Sequence, residues 1–394
     1  MASATAQVAT PGQAAGRSVR SIIGLAVMEV QGSKQGSGER ILLAHCDGDD
    51  PVAVELLGDT GKDMQKGLHE TIRCWEQHRR PGFAEQGTLQ LSFEDKTHPV
   101  DGMSAGAAFA VLLHSFSDRF DIDPEFCMTG DLSVEGRILD VGCVYEKLGG
   151  GALFSCTRAA VPVAAAAELV DGVILNGPEL LASIEVYGVE TLPEVIGVAR
   201  SNRTRAGVQA TAAFATLRDL VEDKLRSGAA APSARIRSTT AKILAAFPNH
   251  LSAKIVGQWN DGSLPKLTIG ASISAQERIL DNYLRKIRSG ADTALADLTN
   301  ETTTTLIQQA RRSLLVLRSK LDPATIRHGR EMEELLSDAV RFVEIQKKIA
   351  EAEKAITYQE ERVKALKERI ARLHANGAPR QDVRAFIRNH NCQV

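Results

Sequence analysis

The sequence predicts an α+β domain followed by an all-α region with a coiled coil, and three features carry that prediction. From about 20 to 200, short apolar runs alternate with helical stretches, separated by Gly- and Asp-rich turns. After 205, long helical patterns dominate. Near the C-terminus, apolar residues recur at a period of about 3.5. The 394 residues are enough for two or three domains at ordinary domain size.

Residues 1–18 are rich in Ala, Ser, Thr, Gln and Gly, lack acidic residues and show no periodicity, so they read as a disordered tail. Strands are expected at 21–30, 41–45, 52–57, 88–91, 126–129 and 159–163. Helices are expected at 62–78, 104–116, 164–169 and 193–200. Turns are expected at Gly32-Ser-Lys-Gln-Gly-Ser-Gly38 and at Asp47-Gly-Asp-Asp50. The apolar run at 22–28 is short and ends at Glu29, which favours a core strand over a signal peptide. The domain bounds that follow are 1–18 for the tail, 19–204 for the α+β domain, 205–330 for a helical domain, 331–376 for a coiled-coil helix and 377–394 for a C-terminal tail.

The heptad places Phe342, Ile349, Ile356, Val363 and Ile370 at one seam position. Ile345, Ala352, Gln359, Leu366 and Leu373 occupy the other. Two pairings remain open. One is a parallel dimer, favoured by β-branched residues at the first position. The other is an antiparallel hairpin against the region 275–321, where Leu280, Leu284, Ile287, Ala291, Ala294 and Leu298 form a second stripe.

Composition narrows the function. Apolar residues make up 43% and charged residues 24%, as in ordinary globular chains, and the net charge is −2,. That charge gives no reason to expect nucleic acid or an anionic membrane surface as a partner. Aromatics are 4%, which disfavours a surface that stacks sugars or bases. The six cysteines include no C-x-x-C pair. They read as reduced residues of a cytoplasmic protein, with no metal site and no cofactor. No run approaches the roughly 18 to 20 apolar residues of a membrane span.

The chemistry is expected in two segments. In Asp101-Gly-Met-Ser-Ala-Gly-Ala-Ala-Phe-Ala-Val-Leu-Leu113, a Gly-containing turn delivers Ser104 to the start of an apolar helix. Free backbone N–H groups there can hold a developing oxyanion. Ser104 by itself reads more simply as a helix N-cap. The second segment contains Met128-Thr-Gly-Asp131, a hairpin around Glu135-Gly136, and a turn at Gly142 into a helix bearing Lys147. A lysine acting as base must be neutral. Its ordinary pKa of about 10.4 must then fall by about 3, which costs about 4 kcal/mol. Burial among Cys143, Val144 and Leu148 would supply that, provided Glu146 faces elsewhere.

Together these segments resemble the signature stretches of the Lon-type peptidase domain. Pro99-Val-Asp-Gly-Met-Ser-Ala-Gly-Ala107 is similar to that family's Pro-Lys-Asp-Gly-Pro-Ser-Ala-Gly-Ala. Gly142-Cys-Val-Tyr-Glu-Lys-Leu148 is similar to Gly-Gly-Leu-Lys-Glu-Lys-Leu. Leu57-Gly-Asp-Thr-Gly-Lys-Asp-Met64 and Val186-Tyr-Gly-Val-Glu-Thr-Leu-Pro-Glu-Val195 extend the likeness over about 20–200. The resemblance implies a ribosomal protein S5 domain 2-like fold and a serine endopeptidase. In it Ser104 is the nucleophile, Lys147 the general base, and Thr129 a partner that orients the lysine. Asp101, Gly102, Met103 and Ala105 would form the oxyanion and substrate surface. Protein or peptide substrates and a homo-oligomer are also implied.

Met103 stands where the family has proline, and Cys143 and Tyr145 where it has Gly and Lys. These departures bear on specificity more than on chemistry. Gly58-Asp-Thr-Gly-Lys62 lacks the spacing and trailing hydroxyl of a phosphate loop, so ATP-independent action is expected. The rival reading is a non-catalytic scaffold of the same fold, working through its coiled coil on a partner protein. His45, Cys46, Asp47, Asp49 and Asp50 read as a strand end entering a turn, and His98 as part of the approach to the serine.

Overall fold

In a computed structural model of the chain, the described residues are 19–30, 33–81, 83, 85–95, 101–288 and 301–375. The two terminal tails, His98 and the stripe positions 291, 294 and 298 lie outside them. The chain divides into two compact units, Met1–Thr268 and Ile269–Val394.

The first unit is built on a seven-stranded mixed sheet. Its strands are β1 (Val19–Val30), β2 (Ser33–Pro51), β3 (Ala53–Leu57), β4 (Gln86–Phe93), β5 (Phe126–Met128), β8 (Arg158–Pro162) and β9 (Glu185–Val189). The spatial order is β3-β4-β2-β1-β5-β8-β9, and β6 (Asp131–Leu132) pairs with β7 (Ile138–Leu139) as a separate hairpin. β1 pairs antiparallel with β2 and parallel with β5. The architecture is therefore α+β, as the alternating pattern predicts.

β1 is central because neighbouring residues bury opposite faces, as a two-sided strand requires. Ile22 joins one core with α1 (Lys62–His78), α2 (Gly106–Ser117) and α6 (Leu192–Ala199). Ile23 and Leu25 join the other, with α3 (Val144–Leu153), α4 (Ala166–Asn176) and α5 (Glu179–Ser183). α1 spans the predicted 62–78, and the helix expected at 104–116 forms as a 3-10 turn, Met103–Ala105, followed by α2.

Of the two turns expected from glycine content, residues 33–38 and 47–50 are strand instead, while Gly32 lies outside the described residues. β2 continues through Gly36, Gly38 and Asp47–Asp50, with only a register shift against β4 between Cys46 and Pro51. The reason is a close approach. A Cβ on Gly36 would overlap the Glu146 carbonyl, and one on Gly150 would overlap the backbone of Gly36 and Ser37. Glycine here lets the β1–β2 ribbon lie directly against α3, the helix that carries Lys147.

The first unit also extends past the expected boundary at 204. α7 (Arg205–Ser227), α8 (Ala234–Ala246) and α9 (Leu251–Asp261) place Phe214, Leu217, Ile243 and Val256 in the same core as Val186 and Leu169. The Ser252 hydroxyl donates to Ile184 O at 2.6 Å and accepts from Val186 N at 2.9 Å. Asn249 O accepts from Gly188 N at 2.9 Å. These contacts cover the β9 edge of the sheet. Sequence periodicity cannot distinguish helices that cover a sheet edge from helices that form their own domain.

The second unit contains α10 (Ile269–Arg288), α11 (Glu301–Arg318) and the 50-residue α12 (Ile326–Ala375). Ile307, Ala310 and Leu314 of α11 pack on Met332 and Leu336 of α12. The helix expected at about 275–321 corresponds to α10 and α11 among the described residues, and α11 meets α12 before the heptad begins.

Gly36→Ala should destabilise the first unit by about 2 to 4 kcal/mol, the range for forcing an atom into filled space or backbone. Urea unfolding measures this, and an unchanged midpoint would contradict the packing described.

Candidate active site

β5 ends at Met128, and the next two residues connect the two predicted segments. Thr129 is buried, and its Oγ1 accepts a hydrogen bond from Lys147 Nζ at 3.3 Å. Gly130 N donates to Ser104 O at 3.1 Å, and Gly130 O accepts from Ala107 N at 3.2 Å. Ser104 and Lys147 are thus held by adjacent residues at the carboxyl end of one central strand. No hydrogen bond joins them directly among the described residues.

Ser104 lies in the 3-10 turn, one residue after Met103. The simple capping role is not what its side chain does. Gly102 caps the 3-10 turn and Ala105 caps α2, neither position makes a side-chain cap, and the Ser104 hydroxyl has no hydrogen-bond partner among the described residues. The N–H groups of Met103, Ser104 and Ala105 open the helix and by position have no carbonyl within it to bond. Gly102 has φ 105°, which only glycine adopts without strain, and a Cβ there would meet open space,. Conformation, and not crowding, explains that glycine.

Asp101 has a different task from the one its position in the motif implies. Its Oδ1 accepts from Gly102 N at 2.8 Å and from Met64 N at 3.1 Å. These bonds hold its carboxyl below the ordinary carboxylate range, led by the one from Gly102,. A charged acceptor of this kind cannot donate to an oxyanion. It ties the serine loop to the first turn of α1. Gly67 of α1 faces Met103, where a Cβ would sit 3.4 Å from the Met103 Cα.

Lys147 is 4% exposed. Burial pushes its pKa below the ordinary lysine value, while Cys143 and Glu168 act in the opposite direction. Val144 and Leu148, both fully buried, are its neighbours along α3, and Glu146 exerts no influence of note on it. Glu168, on α4, was not expected from the sequence. Its Oε1 accepts from Tyr145 N at 2.9 Å, capping α3, and burial raises its own pKa. Its signal is the tertiary placement of α4, which no local pattern in Lys147's own segment contains.

Cys143 precedes α3 with φ 61°, a left-handed conformation that costs a non-glycine residue about 1 kcal/mol,. Its sulfur accepts from Lys34 Nζ at 3.2 Å, and this contact leads the rise in the Lys34 pKa. His45 and Cys46 lie within β2, not at its end, and bond to Gln86 O and Gln90 Oε1. Among the described residues no group of three His, Cys, Asp or Glu side chains is placed to hold a metal, and no helix is long and apolar enough to cross a membrane.

The comparisons agree with this arrangement. Residues 51–201 match the family described as the Lon protease (S16) C-terminal proteolytic domain. The match is to a Lon-type proteolytic domain. It begins at Pro51, the last residue of β2, and ends just after α6, so it includes both Ser104 and Lys147. Lon protease 1 of Thermus thermophilus is 30% identical over 148 residues, which cover 36% of this chain and 18% of that protein. Lon protease homolog 2, peroxisomal, of Eremothecium gossypii is 36% identical over 104 residues, covering 26% and 10%. Lon protease of Treponema pallidum is 29% identical over 171 residues, covering 41% and 19%. The chain therefore spans a fifth or less of the length of these relatives.

Two measurements test the geometry. Cys143→Gly should raise stability by about 1 kcal/mol, because it relieves the left-handed strain; a destabilised variant would contradict that account. Lys147→Met should be more stable than the parent at neutral pH. The folded state resists the proton there, so the cost is full below the lowered folded pKa. It fades as pH rises towards the ordinary value of 10.5, and the gap between the two proteins should close over that window,. Denaturation at several pH values follows it.

Proposed function

We propose that the first unit is a serine endopeptidase using a Ser104–Lys147 dyad on unfolded or flexible protein substrates. The observation that carries this reading is the buried Lys147, its pKa lowered by burial, held on Thr129 beside the Gly130 that binds the Ser104 backbone. The Ser104 hydroxyl, without a hydrogen-bond partner among the described residues, and the Lon-type match add support.

Neutral Lys147 Nζ takes the proton from Ser104 Oγ as that oxygen attacks the scissile carbonyl carbon. Charge collects on the carbonyl oxygen, and the backbone N–H groups that open the helix at Ser104 are its proposed donors. Collapse of the intermediate breaks the C–N bond. The proton on Lys147 passes to the leaving amine, and an acyl-Ser104 ester remains. Water, deprotonated by Lys147, then hydrolyses the ester. Thr129 Oγ1 keeps the lysine aimed. None of these steps uses a nucleotide, so hydrolysis of an already unfolded chain should proceed without ATP. Met103, beside the nucleophile, would shape substrate preference. A cytoplasmic setting fits the free cysteines among the described residues. The second unit would serve oligomerisation or partner binding.

Unfolded casein, with and without ATP, is the test substrate. Ser104→Ala and Lys147→Ala should each lower hydrolysis by about 10³-fold or more. Cleavage that survives in either variant would rule out the dyad. Activity should rise with pH to a midpoint below 10.5, because only neutral Lys147 works. Glu168→Gln should move that midpoint lower, since the Glu168 charge holds the lysine's pKa up. A chain that neither cleaves casein nor reacts with a serine-directed fluorophosphonate would favour the scaffold reading, for which the exposed stripe on α12 is the supporting observation.

A further inference from the structure

Within the second unit, among the residues whose side chains are described, α12 packs on its neighbours near its start. The cluster formed with α11 reaches Val340 on α12. From 341 to 375 the helix continues for about 50 Å at 1.5 Å per residue. Along that length Ile345 is 54% exposed, Ile349 45%, Ile356 59% and Val363 50%. A surface helix ordinarily turns such residues inward, and a stripe of this kind marks a contact face. A groove of about 610 Å³ lies beside it, lined by Ile356, Gln359 and Val363 among others.

We propose that residues 341–375 pair with the same segment of a second copy of the chain as a parallel, in-register, two-stranded coiled coil. The stripe repeats every seven residues, which is the spacing at which a helix matches itself. Ile349, Ile356, Val363 and Ile370 hold one seam position, and β-branched residues there select two strands. Gln359 decides the direction. In a parallel pair in register it faces the Gln359 of the other copy, and each amide can donate to and accept from its twin. In an antiparallel pair it would face a β-branched residue with its amide unsatisfied. The flanks agree in part. Lys348 meets Glu353 of the other copy, whereas Arg362 meets Lys367, so added salt should strengthen the pairing at that end. The proposal does not depend on the dyad, and hydrolysis of casein is measured separately.

The full chain is studied by sedimentation at several concentrations, beside Ile349→Glu with Ile356→Glu. Both positions are exposed in the single chain, so the double variant should fold normally. It should raise the dimer dissociation constant by about 100-fold or more, because four glutamates, two from each copy, enter the seam. Ile345→Cys should form an interchain disulfide on mild oxidation, above the background of the unaltered chain, since the parallel register apposes the two copies of 345 whereas an antiparallel pair of 341–375 holds them about 40 Å apart. A chain that stays monomeric, or an assembly that survives the double glutamate variant, would overturn the proposal. So would a dimer that depends on the stripe but gives no disulfide at 345. A different protein recovered on this face, with no self-association, would also overturn it.

Discussion

The arrangement of this protein depends on what happens at the end of one short strand. β5 is three residues long and central, paired in parallel with β1 on one side and β8 on the other. Its continuation, Thr129-Gly130, holds Lys147 through a hydroxyl and the Ser104 segment through two backbone hydrogen bonds. A buried strand end is a rigid place for such a junction, because packing on both faces of the sheet leaves it little freedom. The serine and the lysine belong to different helices, one on each face, and this strand end is hydrogen-bonded to both segments.

Burying Lys147 carries a cost, and several features around it keep that cost from being avoided by rearrangement. α3 lies so close to the β1–β2 ribbon that Gly36 and Gly150 touch backbone to backbone. Glu168 caps the helix from α4 and, with Cys143, acts to raise the lysine's pKa. Desolvation and this carboxylate pull in opposite directions, and desolvation wins,. The strained Cys143, at the position where the Lon family has glycine, is a local exception to an otherwise unstrained helix start,.

The two units pose different physical problems. In the first, apolar residues on both faces of the sheet are covered, and α7 to α9 extend that cover over the outermost strand. In the second, the core is a small cluster near the start of α12, and much of that helix presents isoleucine and valine to solvent. A stripe with the period of a coiled coil on an otherwise charged helix reads as unfinished packing, and that imbalance motivates the self-pairing proposed above.

From residue order alone came the fold class, most of the strands and helices of residues 19–200, the two segments that meet at β5 and the heptad of α12. Those features rest on local periodicity and on short motifs, which a linear string contains. The tertiary structure decided the rest. It gave the Asp101 carboxylate a helix to cap, brought Glu168 beside the lysine, freed Ser104 from the capping role its position suggested, and joined 205–268 to the first unit. Each of these depends on which distant elements pack together, and packing partners are not written in the spacing of residues along one element.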